Sequence, residues 1–326
     1  MTREVEMVAQ RARGRWLTLV VLLALILAAV PPGRAAAAGC TVTNTNDDGA
    51  GSLRECLYNA VSGDTIAITA TGTITLARTL TIGQSLTITG PGAGQLAISG
   101  NNAVRVIEIT DGTVAISGVT IRDGKGDSSL GGGIRNRGTL TLADSVVTNN
   151  SADYDGGGIG NSYRAKLTVT NSIITNNAAN RGGGIGTDSS STVTILNSTL
   201  SGNLADGRYG SLDSGGGGIF MRESSSLTIT NSTISGNSAT RSGSGGGIFN
   251  SGGTVTIDRS TISGNSAASI AGSGGGIAHS SAHPLTITNS TISGNSADSG
   301  GGLQSFGPAT LRFTTVTKNA STQAKD

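Results

Sequence analysis

Aromatic side chains and proline are scarce in this chain of 326 residues, which contains 3% aromatic residues and five prolines. So few large rings exclude a globular core built around aromatic side chains. Charged residues make up only 13% of the sequence, against about a quarter in ordinary globular proteins. Valine, isoleucine, leucine and threonine nevertheless recur in order along the chain, and this regularity excludes a disordered protein.

A strong charge of one sign is also missing. The formal net charge of +2 comes from the first 38 residues, which hold five arginines and two glutamates. The rest of the chain therefore carries a net charge of −1. A nearly neutral protein offers no electrostatic basis for binding nucleic acid or an anionic membrane, so we expect neither partner.

The first 38 residues have the parts of a secretory signal. Arginines precede an apolar run at residues 16–30, and small residues follow at 35–38. We predict cleavage after Ala38, which makes residues 1–38 the signal. The apolar run is shorter than the roughly 20 residues of a spanning helix, so we expect no membrane span after cleavage. An uncleaved anchor is the alternative.

Cysteine is limited to Cys40 and Cys56, both just beyond the predicted signal. An exported chain matures where disulfides form, so the pair predicts a structural disulfide across a short loop. Catalytic or metal-binding thiols are the alternatives.

Glycine is abundant, with 52 residues, and much of it lies in a repeated unit. Each unit has a Gly-Gly-Gly-Ile turn, an alternating segment and an ending close to Asn-Ser-Thr-Ile-Ser-Gly-Asn. Spacings of 25, 26, 34, 29, 29 and 26 residues separate the apolar residues that close the glycine runs. These residues are Ile134, Ile159, Ile185, Ile219, Ile248, Ile277 and Leu303. A period in this range is typical of a solenoid.

Apolar residues alternate with polar ones inside each unit, as at Leu227 and Ile229, which is the periodicity of strands. One unit cannot bury its apolar face alone, but stacked units form a continuous narrow core. We therefore predict an all-β fold: a single parallel β-helix of about ten coils over residues 64–320, before a polar tail at 321–326. An antiparallel meander is the competing fold.

An asparagine recurs once in each unit, and stacked amides can donate and accept along the axis. We predict a structural ladder, with ligand binding as the alternative. Its members are Asn150, Asn177, Asn203, Asn237, Asn265, Asn295 and Asn319.

Residues 39–63 predict an amino-terminal cap with a short helix. Residues 52–55 form a capping box, Ser-Leu-Arg-Glu. An apolar helical stripe follows, made of Leu53, Cys56, Leu57, Ala60 and Val61. The carboxyl end has no such signal, which predicts either an exposed last coil or a truncated chain. An exposed coil would allow self-association through its free edge.

The glycine turns and the Asn-Ser-Thr-Ile-Ser-Gly-Asn endings are similar to repeats of bacterial right-handed parallel β-helix proteins, including polymorphic outer membrane proteins. Residues 51–66 resemble the CSLREA-type segment that precedes such helices. The resemblance implies a right-handed, pectin-lyase-like fold and a secreted or bacterial cell-surface location. It also implies adhesion-like roles, with cell-surface glycans or other extracellular proteins as partners. It implies no particular activity.

No catalytic or cofactor-binding set emerges from the sequence. Asp47 and Asp48 fit a turn. Asp123, Asp127, Asp153 and Asp155 precede glycine runs, and stacked loops could bring their oxygens together around calcium. Solvated loop charge is the alternative interpretation, because arginines lie near the equivalent positions of later loops.

Two further pairs have structural interpretations. His279 and His283 lie in a segment that favours a loop over a metal-binding helix. Phe220 and Phe249 both follow a glycine-run isoleucine, so we expect them to stack on each other.

The leading functional hypothesis is an exported, non-catalytic surface or adhesion-type protein. A polysaccharide lyase or glycoside hydrolase of the same fold is the alternative. A fragment of a larger autotransporter-like protein is the third.

Overall fold

The computed structural model describes residues 39–127, 130–209, 214–241, 243–268 and 272–322. The predicted signal at 1–38 and residues 323–326 of the predicted tail lie outside this range. Cleavage after Ala38 therefore stays a prediction.

Four parallel sheets form most of the described part of the chain, and from Thr113 onward every coil passes through them in the same order. We number them from the strand that follows the glycine run. Sheet I contains nine described strands: Leu80–Ile82, Ile107–Ile109, Ile134–Asn136, Ile159–Asn161, Ile185–Thr187, Ile219–Met221, Ile248–Asn250, Ile277–His279 and Leu303–Ser305. Sheet II contains eleven: Gly39–Val42, Thr65–Ile68, Leu86–Thr89, Thr113–Ser117, Thr139–Ala143, Lys166–Thr170, Thr192–Leu196, Ser226–Thr230, Thr254–Asp258, Leu285–Thr288 and Ala309–Arg312.

Sheet III contains ten described strands: Gly72–Thr75, Leu96–Ser99, Thr120–Arg122, Val146–Thr148, Ile173–Thr175, Thr199–Ser201, Thr233–Ser235, Thr261–Ser263, Thr291–Ser293 and Thr315–Thr317. Sheet IV contains eight: Lys125–Gly126, Ser151–Ala152, Ala178–Ala179, Leu204–Ala205, Ser238–Thr240, Ser266–Ala268, Ser296–Ala297 and Ala320–Ser321. The predicted parallel β-helix of about ten coils is confirmed, and the antiparallel alternative is wrong.

The core consists of apolar columns that run along the axis. The isoleucine that closes each glycine run pairs with its equivalent in the next coil, as Ile134 does with Ile159. Both side chains are fully buried. Each column is narrow because it uses one side chain per strand, so branched aliphatic residues fill the interior where rings would not fit.

An asparagine column closes the corner between sheets III and IV. The Oδ1 atom of Asn177 accepts from the backbone N–H of Asn150 at 3.0 Å and from its Nδ2 at 2.9 Å. The same double contact recurs at each step, and Nδ2 also donates to a strand carbonyl of the preceding coil. The ladder extends from Asn150 to Asn319. Gly124 occupies the equivalent place one coil earlier, where its N–H donates to Asn150.

A second ladder, which the sequence did not reveal, lies at the corner between sheets II and III. The backbone N–H of Ser172 donates to Oγ of Ser198 at 3.1 Å, and the Ser172 hydroxyl donates to the carbonyl of Thr170. Equivalent bonds connect a buried column: Ser145, Ser172, Ser198, Ser232, Ser260 and Ser290. The first Ser of the Asn-Ser-Thr motif is therefore a structural residue.

A left-handed backbone conformation explains why asparagine or glycine precedes most residues of both ladders. Asn171 and Asn231, each just before a ladder serine, both have φ of 49°. Gly236, just before a ladder asparagine, has φ of 61°. Asparagine and glycine adopt this region most readily, which accounts for their recurrence in the motif.

Helix α1, Leu53–Asn59, caps the first coil. The Ser52 hydroxyl accepts from the N–H of Glu55, while the Glu55 carboxylate accepts from the N–H of Gly51. Leu53, Cys56 and Leu57 are buried, as expected for the stripe. Val61 is not part of it, because the helix ends at Asn59 and the Val61 side chain is 65% exposed.

Two further connections hold the cap. Cys40, on the first strand of sheet II, forms the predicted disulfide with Cys56 of α1. Arg54 bonds to the Asp47 carboxylate and to the carbonyls of Arg78 and Thr79. Asp48 bonds to Gly49 N–H and to Arg78. Asp47 and Asp48 thus connect the turn to the cap.

The last described coil is open to solvent. Strands Ala309–Arg312 and Thr315–Thr317 are exposed along their length, including Leu311 and Val316. Self-association at this edge stays a prediction. No helix within the described residues is long and apolar enough to cross a membrane.

We predict that Asn237→Ala lowers the free energy of unfolding by about 3 kcal/mol, because buried donors on Asn203 lose their acceptor and a buried carbonyl loses its donor. Asn231→Gly, at an exposed left-handed position of the same coil, should change it by less than about 1 kcal/mol. Urea unfolding of both variants measures the difference. Equal losses would show that the ladder adds nothing specific.

Candidate ligand-binding face

The structure does not bring the four candidate calcium aspartates into one site. Each carboxylate instead contacts an arginine, and the four pairs are Asp123 with Arg122, Asp127 with Arg105, Asp153 with Arg208, and Asp155 with Arg181. The described residues contain no group of three or more acidic, histidine or cysteine side chains that could hold a metal ion. Calcium binding by these aspartates therefore stays a prediction, and the coil register places an arginine beside each carboxylate.

Asp155 shows how tightly one of these pairs is built. Its two oxygens accept from Nε and Nη2 of Arg181 at 2.6 and 3.0 Å. Burial raises the pKa of Asp155, while the charge of Arg181 opposes that shift. The Arg181 guanidinium also lies 4.8 Å from the centre of the Phe220 ring. Structural contacts therefore occupy both its N–H edge and one of its faces.

A cluster of arginines lies on the outer face of sheet I, where we find the best candidate site. We define the arginine cluster as Arg105, Arg135 and Arg137 together with Glu108. The Glu108 carboxylate lies 3.4 Å from Arg105, 3.4 Å from Arg135 and 3.8 Å from Arg137. One carboxylate at these distances cannot neutralise three guanidinium groups.

Desolvation strengthens the positive potential of this cluster. Side-chain exposure is 7% for Arg105, 14% for Arg135 and 33% for Arg137. Burial, followed by the charge of Arg137, lowers the pKa of Arg135. Nε of Arg135 and Nε of Arg137 are buried without a hydrogen-bond partner among the described residues. The N–H groups at the exposed end of Arg137, whose side chain is one-third exposed, are the donors that an anionic ligand can reach.

An aromatic ring and a cavity lie beside the arginine cluster, farther along the axis of the β-helix. The Arg137 guanidinium lies 5.4 Å from the centre of the exposed Tyr163 ring. Arg137 lies in the turn that follows a sheet I strand. The equivalent turns of later coils border a cavity of about 280 Å³, which is lined by Arg181, Ser189, Phe220, Arg222, Glu223 and Ser251. Together these groups offer cations, hydroxyls and an aromatic face to a ligand.

The coil register explains why these side chains meet. Glu108 and Arg135 pair directly across sheet I, and the next residue in that outward column is Gly160. Phe220 and Phe249 occupy the column later, with ring centres 5.8 Å apart, so the expected pair forms as tilted rings. The arginine cluster escaped prediction because the outward column has no residue type that recurs along all the coils, changing from Glu108 to Arg135 to Gly160. Only the register of the inward isoleucines could have located it.

The family model for the right handed beta helix region matches residues 208–324. A search of curated proteins finds no match. Among solved structures, the chain is similar to pectate lyase Pel9A, with a TM-score of 0.54 at 15% identity, covering 89% of this chain and 79% of that one. The chain has a right-handed parallel β-helix fold, similar to that of this pectate lyase.

The A-module of mannuronan C-5 epimerase AlgE4 from Azotobacter vinelandii is less similar to this β-helix protein. Its TM-score is 0.41 at 15% identity, covering 87% of each chain. Identities this low bear on the fold alone, so the activities of these structures say nothing direct about this β-helix protein.

His279 lies inside the β-helix, at the end of strand Ile277–His279 and fully buried, so the expectation of a loop was wrong for it. His283 does lie in a loop. The Asn250 amide, whose Oδ1 accepts from Gly253, donates to His279 Nδ1 at 3.0 Å. Nδ1 is therefore the acceptor and Nε2 carries the proton of a neutral ring.

Burial lowers the pKa of His279. Protonation would also place an N–H on Nδ1 against the Asn250 donor. Because the unfolded chain then binds more protons than the folded one, the free energy of unfolding should fall as the pH drops below about 6.5.

We predict that His279→Asn removes most of this pH dependence between pH 7 and pH 5, because asparagine does not titrate and already occurs in the same column at Asn250. His283→Asn should leave the dependence unchanged. Chemical unfolding at several pH values measures it. Retention of the full dependence in His279→Asn would contradict a neutral, buried His279.

Proposed function

We propose that this β-helix is a non-catalytic extracellular or cell-surface protein that binds acidic glycans through the arginine cluster. The observation that carries the proposal is the set of three partly buried guanidinium groups around Glu108. Asp127 also accepts from Arg105. Arg135 and Arg137 retain the positive charge that these carboxylates leave unbalanced.

The chemistry of arginine supports a carboxylate or sulfate ester as the bound group. A guanidinium offers several N–H donors in one plane and can bond an anion through two of them. The low exposure of Arg135 reduces competition from water, which strengthens its interaction with a charged ligand. A neutral glycan would leave these buried donors without charge compensation.

The arrangement along the axis supports an extended ligand. The cavity at Arg222 and Ser251 lies in the same turn as Arg137, three coils farther along sheet I. Three coil spacings correspond to about 14 Å. The Tyr163 ring, beside Arg137, adds an apolar surface against which a sugar ring can pack.

A lyase is the second candidate, and one observation favours it. Lyase chemistry needs a base that removes a proton beside a carboxylate, and a lowered arginine pKa moves that side chain toward such a role. Arg135 is the side chain with that property. The two candidates differ in outcome, because binding alone leaves the glycan intact.

We predict that Arg135→Gln combined with Arg137→Gln weakens binding to polygalacturonate or alginate oligosaccharides by about tenfold or more, since each charged hydrogen bond contributes about 1.5 to 3 kcal/mol. Isothermal titration calorimetry at low and high salt measures the affinity. The wild-type affinity should fall as salt rises.

The matched control is Arg312→Gln with Lys318→Gln, which removes two exposed positive charges from the last coil. Unchanged affinity in the control would assign the effect to the cluster rather than to net charge. Equal losses in both variants would contradict the proposal. Unsaturated products released by the wild type, and lost in Arg135→Gln, would replace it with a lyase.

A further inference from the structure

The outer face of sheet III carries a regular array of hydroxyl groups that the proposed glycan site does not use. Five consecutive strands, from Thr199–Ser201 to Thr315–Thr317, each have two outward positions. Every one of these positions is occupied by threonine or serine. We call these ten residues the Ser/Thr face: Thr199, Ser201, Thr233, Ser235, Thr261, Ser263, Thr291, Ser293, Thr315 and Thr317. The residue between each pair points inward, as Ile234 and Ile262 do.

The register makes this face a two-dimensional lattice. Thr199 pairs with Thr233, which pairs with Thr261, and the column continues to Thr315. The serine column runs beside it in the same register. Parallel strands lie about 4.8 Å apart, and alternate residues of one strand about 6.6 Å apart. The hydroxyls therefore repeat at roughly these two distances.

Both flanks of the face are held by the buried ladders. The serine ladder, including Ser232 and Ser260, borders one side, and the asparagine ladder, including Asn237 and Asn265, borders the other. Their contacts have nearly constant length, between 2.9 and 3.1 Å across these coils. Side-chain ladders of this kind keep a sheet flat over many strands.

Insertions between coils avoid this face. The number of residues from the sheet II strand to the ladder asparagine is the same in every coil from Leu140–Asn150 to Leu285–Asn295. The variable lengths fall after the ladder asparagine, as between Asn203 and Gly215, and between the strands of sheets I and II. Loops of different length therefore emerge elsewhere and do not interrupt the lattice.

None of the ten positions carries a charged side chain. This neutrality is local, because the equivalent sheet II face of the same molecule includes Lys166, Asp258 and Arg312. A charged ligand would find no counter-charge on the Ser/Thr face. The face is complementary to a surface that is neutral, rigid and able to donate and accept hydrogen bonds at regular intervals.

We propose that the Ser/Thr face binds the surface of ice. A single exposed hydroxyl gains little by exchanging one water for another. Ten hydroxyls held in one lattice gain much more from a partner that is itself a lattice, because all contacts form together. The prism face of hexagonal ice is an uncharged lattice of oxygen atoms that donate and accept hydrogen bonds, with repeats of the same order as the two spacings of the array. The threonine methyl groups exclude loose water between these contacts.

The experiment measures thermal hysteresis and inhibition of ice recrystallisation by the chain over residues 39–326, with and without single substitutions. Thr261→Tyr places a ring at the centre of the face and should reduce both activities about tenfold, because neighbouring hydroxyls can no longer reach the ice together. Thr291→Tyr, one coil along, should have the same effect. Far-ultraviolet circular dichroism and thermal unfolding establish that each variant folds.

The matched control is Thr230→Tyr, which makes the same change on the sheet II face, where its neighbours in the adjoining coils are Leu196 and Asp258. Its activities should remain within about twofold of the wild type. Absence of both activities in the folded wild type would overturn the proposal. It would also be overturned by equal losses in Thr230→Tyr and Thr261→Tyr. Activity unaffected by either Ser/Thr-face substitution would overturn it as well.

Discussion

Hydrogen bonding from coil to coil along the axis is the interaction on which the rest of this structure depends. Each strand pairs with the equivalent strand of the next coil, and side-chain ladders join the two corners on either side of sheet III. Without the ladders, the backbone N–H groups at Asn177 and Ser172 would be buried without acceptors. Buried polar groups of this kind destabilise a fold, so the repeated Asn and Ser stabilise the stacking of the coils from Ser145 onward.

The same constraint explains how one repeat provides two chemically different faces. Inward positions must match from coil to coil, because isoleucine packs on isoleucine in a narrow core. Outward positions have no such requirement. On sheet I they change from Glu108 to Arg135 to Gly160, and the loops beside them supply ion pairs and rings. On sheet III they stay threonine and serine for five coils. Both proposed binding surfaces therefore use outward columns.

The features that repeat could be predicted from the sequence. The asparagines recur at a fixed place in each unit, and this recurrence alone locates their ladder. The serine ladder recurs just as regularly, but a hydroxyl beside a left-handed asparagine resembles an ordinary turn residue. Spacing along the chain does not show which arginine the next coil places beside each candidate aspartate, as Arg181 lies beside Asp155. The arginine cluster and buried His279 depend on the same register between distant residues.

Hydrogen exchange of the corner amides tests the central claim most directly. If the ladders join the coils, the backbone N–H groups of the ladder asparagines, from Asn150 to Asn265, should exchange as slowly as those of the core strands. The corner residue before each of them, such as Asn176, bonds backbone to backbone and provides the comparison within the same turn. Protection of the ladder amides equal to that of the sheet I isoleucines is the predicted result. Rapid exchange at the ladder, beside protected strands, would show that the sheets alone hold the coils together and would contradict this account.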